Sequence, residues 1–543
     1  MSSSPVEVGG LQQLSPFQLK DLLIRSARDF SRSKAATHNF LDAGRGNPNW
    51  VATTPREAFF TLGRFALSES KRVWDEPGFG GMPHADGIAD RLRRYVSRAG
   101  EGLGADLLRR ALDYAVATLR FDADSFVHEL ADSIIGDTYP VPDRMLVHSE
   151  AIVQRYLAKV MCDDRPPPGT FDLFAVEGGT AAMCYVFKSL FANRLLRQGD
   201  LVALGTPIFT PYVELPHLED FALQTIEIAQ SGTRAGFHTW QYPEAEIEKL
   251  ADPRVKAFFL VNPSNPASFA LAPQTHAHIV ELVRERRPDL IILTDDVYGT
   301  FVDGFRSLAA DLPQNTILVY SYSKHFGCTG WRLGVVALHA DNILDRQLAN
   351  LPERDRAALR ERYASLTTDP DGLKLIDRMV ADSRDVALNH TAGLSPPQQV
   401  QMALFSLFAL LDEDDVYERR CRAIIHERLA RLAQGLRIPV PPDPLRVGYY
   451  VDLDLEVWGR KEFGEDFVRY AQAHRQPVEV VLGLARRHGT VLLNGGGFEG
   501  PPWTVRVSLA NLDADDYEAI GRDLRETMQR ALEEWKRLTG QGG

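Results

Sequence analysis

SYSKHFGCTGWRLG, residues 321–334, follows the apolar run TILVY and sets Lys324 among hydroxyls and glycines, with Ser321 and Ser323 just before it and Arg332 eight positions on. A lysine at the end of a buried strand costs stability unless something takes up its amine. The segments around it say what that partner is.

Working outward, FDLFAVEGGT, LVALG, AFFLVNP, LIILTDD and RLGVVALHA repeat the same design: short apolar runs, several of them β-branched, separated by helical or loop segments. Strands buried on both faces have this composition. The spacing predicts an α/β fold, a mostly parallel sheet flanked by helices. Ahead of it, residues 16–31 and much of 55–135 have apolar positions at helical spacing, interrupted by the glycine-rich loops LDAGRGNPNW and WDEPGFGGMPHADG. From about 415 helices mix with alternating strands (GYYVDLDL, TVLLN, WTVRVSLA) and end in a long amphipathic helix, an α+β arrangement. The expected division is 1–54 as the first segment of a small domain, 55–135 as a helical insertion, 136–415 as the large domain, and 416–543 as the rest of the small one.

In open α/β sheets, ligands sit at the carboxyl ends of strands. The remaining motifs fall there. EGGTAA (177–182) opens a helix, so Gly178, Gly179 and Thr180 can cradle a phosphate. NPSNP (262–266) fixes an asparagine between prolines, and TDDVY (294–298) ends a strand with a carboxylate. An amine, a carboxylate, an asparagine, a tyrosine and a phosphate cradle share one economical reading, pyridoxal phosphate: its aldehyde needs a lysine, its ring nitrogen an acid, its phenolic oxygen donors.

With S-x-S-K-x-x-x-x-x-G-W-R-x-G nearly intact and the motifs in order, the chain resembles the fold-type I pyridoxal-phosphate enzymes of the aspartate aminotransferase group. The resemblance implies a large cofactor-binding domain and a smaller α+β domain. It makes Lys324 the residue that carries the cofactor's aldehyde and proton shuttle, Asp295 the partner of the pyridine nitrogen, and Asn265 and Tyr298 the partners of the phenolic oxygen. Arg332, Ser321, Ser323, Gly179 and Thr180 would hold the phosphate. Phe209, in TPIFTPY, falls where the family stacks an aromatic on the ring, though ordinary core is its other reading. Tyr139, in TYPVP, matches a tyrosine that reaches the phosphate of a neighbouring subunit, which requires at least a homodimer; an alternative register uses the loop near Met82. Arg506, in WTVRVSLAN, matches the arginine that grips the substrate's α-carboxylate, unless it is an exposed salt-bridge partner. Asp296 reads as a solvated or helix-capping neighbour, and Cys328 as packing.

Two departures narrow the reaction. About fifty residues more than the family usually needs lie between GRGNP and TYPVP, and Arg45 stands beside Gly46 where the family pattern has an aliphatic residue. A second cation in the substrate loop suits a dicarboxylic amino acid, or else Arg45 is a surface arginine. Together these features resemble the aspartate 4-decarboxylase branch, which implies conversion of L-aspartate to L-alanine and CO2 with aminotransferase side activity, in a larger assembly of dimers. A plain aminotransferase for aspartate or another amino acid is the alternative, and a ligand-sensing regulator a remote one.

Composition restricts the partners. The net charge of −12 disfavours nucleic acid and anionic membranes, no window approaches a membrane-spanning apolar run, and no secretory signal is visible. Four cysteines without CxxC spacing offer no zinc framework and suit a reducing compartment, so no metal and a cytoplasmic location are expected.

Overall fold

The computed structural model describes residues 16–33, 40–98, 102–137, 144–234, 237–384 and 393–539. The chain divides into two compact units, one of residues 51–200 and 288–419, the other of residues 1–50, 201–287 and 420–543.

In the first unit the strands Phe171–Val176, Gly334–His339, Thr316–Ser321 and Ile291–Asp295 lie side by side in that order. Ile291–Asp295 runs parallel to Thr316–Ser321, whereas Gly334–His339 is antiparallel to both of its neighbours. Three of the four strands are buried at every position, as their unbroken apolar sequences require. Helices Val147–Cys162 and Gly179–Ala192 pack on this sheet.

The same unit carries the helices Thr53–Val73, Ile88–Arg98, Leu103–Ala117 and Ala123–Ile134. They share a core of their own, in which Leu62, Phe65, Leu92, Leu108 and Phe126 meet Val400 and Leu404 of helix Pro396–Leu410. Truncating such a leucine to alanine costs about 2–5 kcal/mol. Polar ties fix the helix starts. Asp122 caps Ala123–Ile134 by accepting from the Ser125 amide, and Asp124 accepts the amides of Gly87 and Ala89 at 2.8 and 2.9 Å.

In the second unit Val255–Val261, Leu201–Thr206 and Gln224–Ala229 form a parallel array in that order. A separate antiparallel sheet orders Tyr450–Asp454, Thr504–Ser508 and Leu493–Asn494. Helix Pro16–Ser33 buries Leu19, Leu23 and Ala27, one face at helical spacing, against helix Val478–His488. The final helix, Ala514–Thr539, buries Tyr517, Ile520, Leu524 and Met528 in the same way. The antiparallel pair Ser231–Arg234 and Phe237–Gln241 was not expected: SGTR lacks the alternating apolar pattern that marks a half-buried strand.

The chain is thus an α/β protein with mostly parallel strands flanked by helices, plus an antiparallel α+β portion. Among the described residues no helix is long and apolar enough to cross a membrane.

Candidate active site

In the first unit, chemistry collects at strand ends. Ile291–Asp295 finishes on Asp295, in register with Val319, and that carboxyl is 7% exposed with the Val297 amide 3.4 Å from Oδ1. Thr316–Ser321 finishes on Ser321, and Lys324 follows half-buried. Ser321 Oγ lies 3.0 Å from Ser323 Oγ and 3.2 Å from Leu333 O. Tyr298 is buried.

Opposite this end begins helix Gly179–Ala192, whose start has no side-chain cap. Gly178 before it has φ +88°, and a Cβ there would come within 2.5 Å of Arg332 Nη2. A Cβ on Gly334 would in turn meet the Gly178 backbone at 2.7 Å. Arg332 donates to Glu177 O at 3.2 Å and Thr329 O at 3.0 Å. Glycine is therefore required where the chain folds against the guanidinium, and the first-turn amides of the helix stand beside a cation. Such a place attracts an anion. Thr180 lies exposed on this turn and Gly179 is half-buried.

The loop between Lys324 and Arg332 is held from outside. Arg56, in the first helix after residue 50, donates to Phe326 O (3.1 Å), Gly327 O (2.7 Å) and Ala52 O (2.6 Å), with its guanidinium over Trp331 and Phe405. Tyr417 donates to His325 O at 2.9 Å and Gln398 to Trp331 O at 2.8 Å. Nothing in the sequence around Arg56 signals this contact, because its partners are backbone carbonyls far along the chain.

Asp296 corrects the expectation of a solvated or capping acid. It is fully buried, with Oδ1 2.5 Å from Thr294 Oγ1. Burial pushes its carboxyl up to about 7, against the hydroxyls of Ser307 and Thr294, and the neighbouring Asp295 charge adds to the rise. Cys328 is buried, and burial holds its thiol up at about 12, an inert packing residue.

In the second unit Asn265 and Arg506 are 3% and 5% exposed. Arg506 donates from Nη1 to Asn265 Oδ1 (3.1 Å) and from Nη2 to Gly44 O (2.9 Å), and its guanidinium lies 4.4 Å from the Tyr450 ring and 4.8 Å from that of Phe498. Two hydrogen bonds and two aromatic faces fix the fork, so it is a buried, preorganised cation and not an exposed ion-pair partner. Phe209 is half-buried at the start of the short helix Thr210–Glu214.

Arg45 differs from Arg506 in setting. Its side chain is 53% exposed, with Nε 3.1 Å from Asp42 Oδ2, while Asp42 Oδ1 accepts the Gly44 amide at 3.0 Å. Gly46 O accepts the Tyr449 hydroxyl at 2.9 Å. Burial lowers the Lys20 ammonium, with Asp42 opposing and Arg45 and Arg506 adding to the depression. Asp42 and Lys20 were missed from sequence; the run Asp-x-Gly ahead of Arg45 is the one local sign that a side chain braces this turn. Tyr139 lies outside the described residues. Among those described, no group of three or more His, Cys, Asp or Glu side chains could hold a metal ion.

A lysine at a strand end, a buried acid on the adjacent parallel strand and a glycine-only anion cradle beside an arginine are the donor set pyridoxal phosphate requires, and they define a pyridoxal-phosphate enzyme. The chain belongs to the class I and II aminotransferase family, whose model matches residues 176–522. It is 48% identical, over 97% of its length and 98% of the relative's, to a bifunctional aspartate aminotransferase and L-aspartate beta-decarboxylase of a Pseudomonas species. Among solved structures it resembles N-succinyldiaminopimelate aminotransferase from Mycobacterium tuberculosis (TM-score 0.56, 16% identity, 97% of this chain and 100% of that one). A double mutant of Thermus thermophilus aspartate aminotransferase is also similar (TM-score 0.51, 17% identity, 98% and 100%). At those identities the two structures speak for the fold alone.

Proposed function

We propose that this protein removes the β-carboxylate of L-aspartate to give L-alanine and CO2, and also transaminates aspartate. The observation that carries the reading is the 48% identity to the bifunctional Pseudomonas enzyme across 97% of this chain.

When bound, pyridoxal phosphate supplies a ring that accepts electrons from the substrate's Cα and, one bond further, from Cβ. Lys324 would hold the cofactor's aldehyde carbon and, with its amine free, would take and return the proton at the substrate's Cα. Asp295, buried at its strand end, would pair with the ring nitrogen and keep it protonated. Tyr298 and Asn265 serve the phenolic oxygen, Phe209 the ring face, and Gly178, Gly179, Thr180, Ser321, Ser323 and Arg332 the phosphate. Arg506 takes the α-carboxylate. Arg45 positions the β-carboxylate, and its solvent-exposed setting suits a group that must lose its charge: a tight bidentate clamp would stabilise the ground state more than the transition state.

Residues 55–135 are proposed to act in assembly. On helix Thr53–Val73 and just beyond, Phe60, Leu67 and Trp74 recur every seven residues and are 60%, 54% and 57% exposed, with Phe79 and Met82 exposed beyond them. An apolar stripe at that spacing supports burial against a second copy, joining homodimers, with Tyr139 proposed to cross between subunits, into a larger cytoplasmic oligomer.

Aspartate supplied to the loaded enzyme without any keto acid tests the reaction. Many equivalents of alanine and CO2 are expected, and none from Lys324→Ala. A stop after one equivalent of oxaloacetate identifies a plain aminotransferase and overturns the proposal.

A further inference from the structure

A cavity of about 110 Å³ lies wholly within the unit of residues 1–50, 201–287 and 420–543, and none of Asn265, Phe209 or Arg506 lines it. Its walls are aromatic, from Trp240, Phe269, Tyr450 and Trp458, over a floor that includes Leu432, Ala433 and Leu436. The fold leaves several polar atoms of this lining buried without a hydrogen-bond partner: both carboxylate oxygens of Asp452, Nε1 of Trp458 and Nδ1 of His238. Buried polar groups are almost always satisfied, and one such group asks for an explanation. Several on one cavity ask for a ligand.

Asp452 is the decisive member. Two residues on, Asp454 faces the same side of the strand and is fully served, by His238 Nε2 at 2.6 Å and by the amides of Glu456 and Val457 at 2.8 and 2.9 Å. Asp452, 8% exposed, receives nothing comparable. The Thr504 hydroxyl beside it donates to Pro501 O at 3.0 Å. Arg506, its cross-strand partner in the ladder, spends its two Nη groups on Asn265 and Gly44. Burial holds the Asp452 carboxyl up at about 7 against the nearby Thr504 hydroxyl, with the Asp454 charge adding and His238 and Arg506 opposing.

We propose that this cavity binds a small organic ammonium ion, its N–H on the Asp452 carboxylate and its alkyl groups against the aromatic walls. A buried acid whose two oxygens lack a well-formed hydrogen bond selects a cationic donor, and aromatic faces attract the same ions. A hard metal cation is disfavoured, since beside the carboxyls of Asp452 and Asp454 the lining offers rings, alkyl groups and the side chains of Arg446 and Lys461 where six or more oxygens are needed. An apolar cavity of about 150 Å³ accepts benzene, so this smaller one suits a body of about four or five heavy atoms.

Trimethylammonium chloride is the probe. It carries one N–H and, being a tertiary amine, forms no imine with the enzyme's cofactor. Titrated into the loaded enzyme by calorimetry, against an equal concentration of sodium chloride, it is expected to bind saturably in the millimolar range. Asp452→Asn, of the same shape, should weaken binding at least tenfold. Ala433→Leu keeps the carboxylate but fills the space, and should do the same; it decides the matter if Asp452→Asn melts differently from wild type. Absence of saturable binding to the wild-type enzyme, or equal binding by both variants, overturns the proposal.

Discussion

Arg506 gives its Nη1–H to the side-chain oxygen of Asn265 at 3.1 Å. The cation proposed to grip the substrate is thereby braced by the amide proposed to face the cofactor. Lysine at 506 keeps the charge but cannot reach Asn265 and Gly44 together or lie flat between Tyr450 and Phe498. Arg506→Lys is expected to raise the KM for aspartate by about tenfold or more, each lost hydrogen bond to a charged group being worth about 1.5–3 kcal/mol. Steady-state kinetics decide it; an unchanged KM removes Arg506 from substrate binding.

Arg45, proposed to meet the substrate's β-carboxylate, is braced by Asp42. With Asp42 fixing Nε at 3.1 Å, the rest of the guanidinium is left for an incoming carboxylate. Arg45→Ala is expected to lower kcat/KM for aspartate by about a hundredfold, about 2.7 kcal/mol of transition-state binding, and to spare alanine, which has no distal carboxylate, in the reverse half-reaction. Equal losses for both amino acids would show that the residue does not read the β-carboxylate.

Arg56 ties a distant helix to the loop that follows Lys324. Arg56→Ala leaves the carbonyls of Phe326 and Gly327 without this donor and removes the cation from Trp331 and Phe405. A destabilisation of about 2–4 kcal/mol is expected, together with a displaced pH titration of the visible absorbance of the cofactor proposed to bind at Lys324. Urea unfolding and absorbance titration measure the two; a variant that loses stability with an unmoved titration reduces Arg56 to a purely structural contact.

These residues also mark what sequence could reveal. The strands were legible because TILVY, LIIL and AFFLV are buried on both faces and so are apolar throughout, and because glycines at 178 and 334 are demanded by close backbone approach. The donors at the strand ends were legible for the same reason: their chemistry follows directly on those runs. Arg56, Lys20 and Asp42 were not, since their partners are backbone atoms or residues far along the chain, and a carbonyl leaves no residue-type signature. Asp296 was misread because adjacent acids in TDDVY look alike, whereas burial separates them.

That separation gives a prediction in pH. The Asp296 carboxyl is pushed from its ordinary 3.8 up to about 7, so between those values the folded protein binds more protons than the unfolded chain. Stability from this group therefore falls as pH rises through the window, and the full penalty, on the order of 4 kcal/mol, is present above about pH 7. Asn at this position keeps the shape and an acceptor for Thr294 but has no proton to lose. The stability of Asp296→Asn relative to wild type should accordingly grow in the variant's favour from pH 5 to about 7.5 and level off beyond. Asp452 titrates over a similar range but is common to both proteins and cancels in the difference. Guanidinium unfolding of both, at matched cofactor loading and at several pH values, reads the trend. Parallel curves across that range would mean that Asp296 is not protonated in the folded protein.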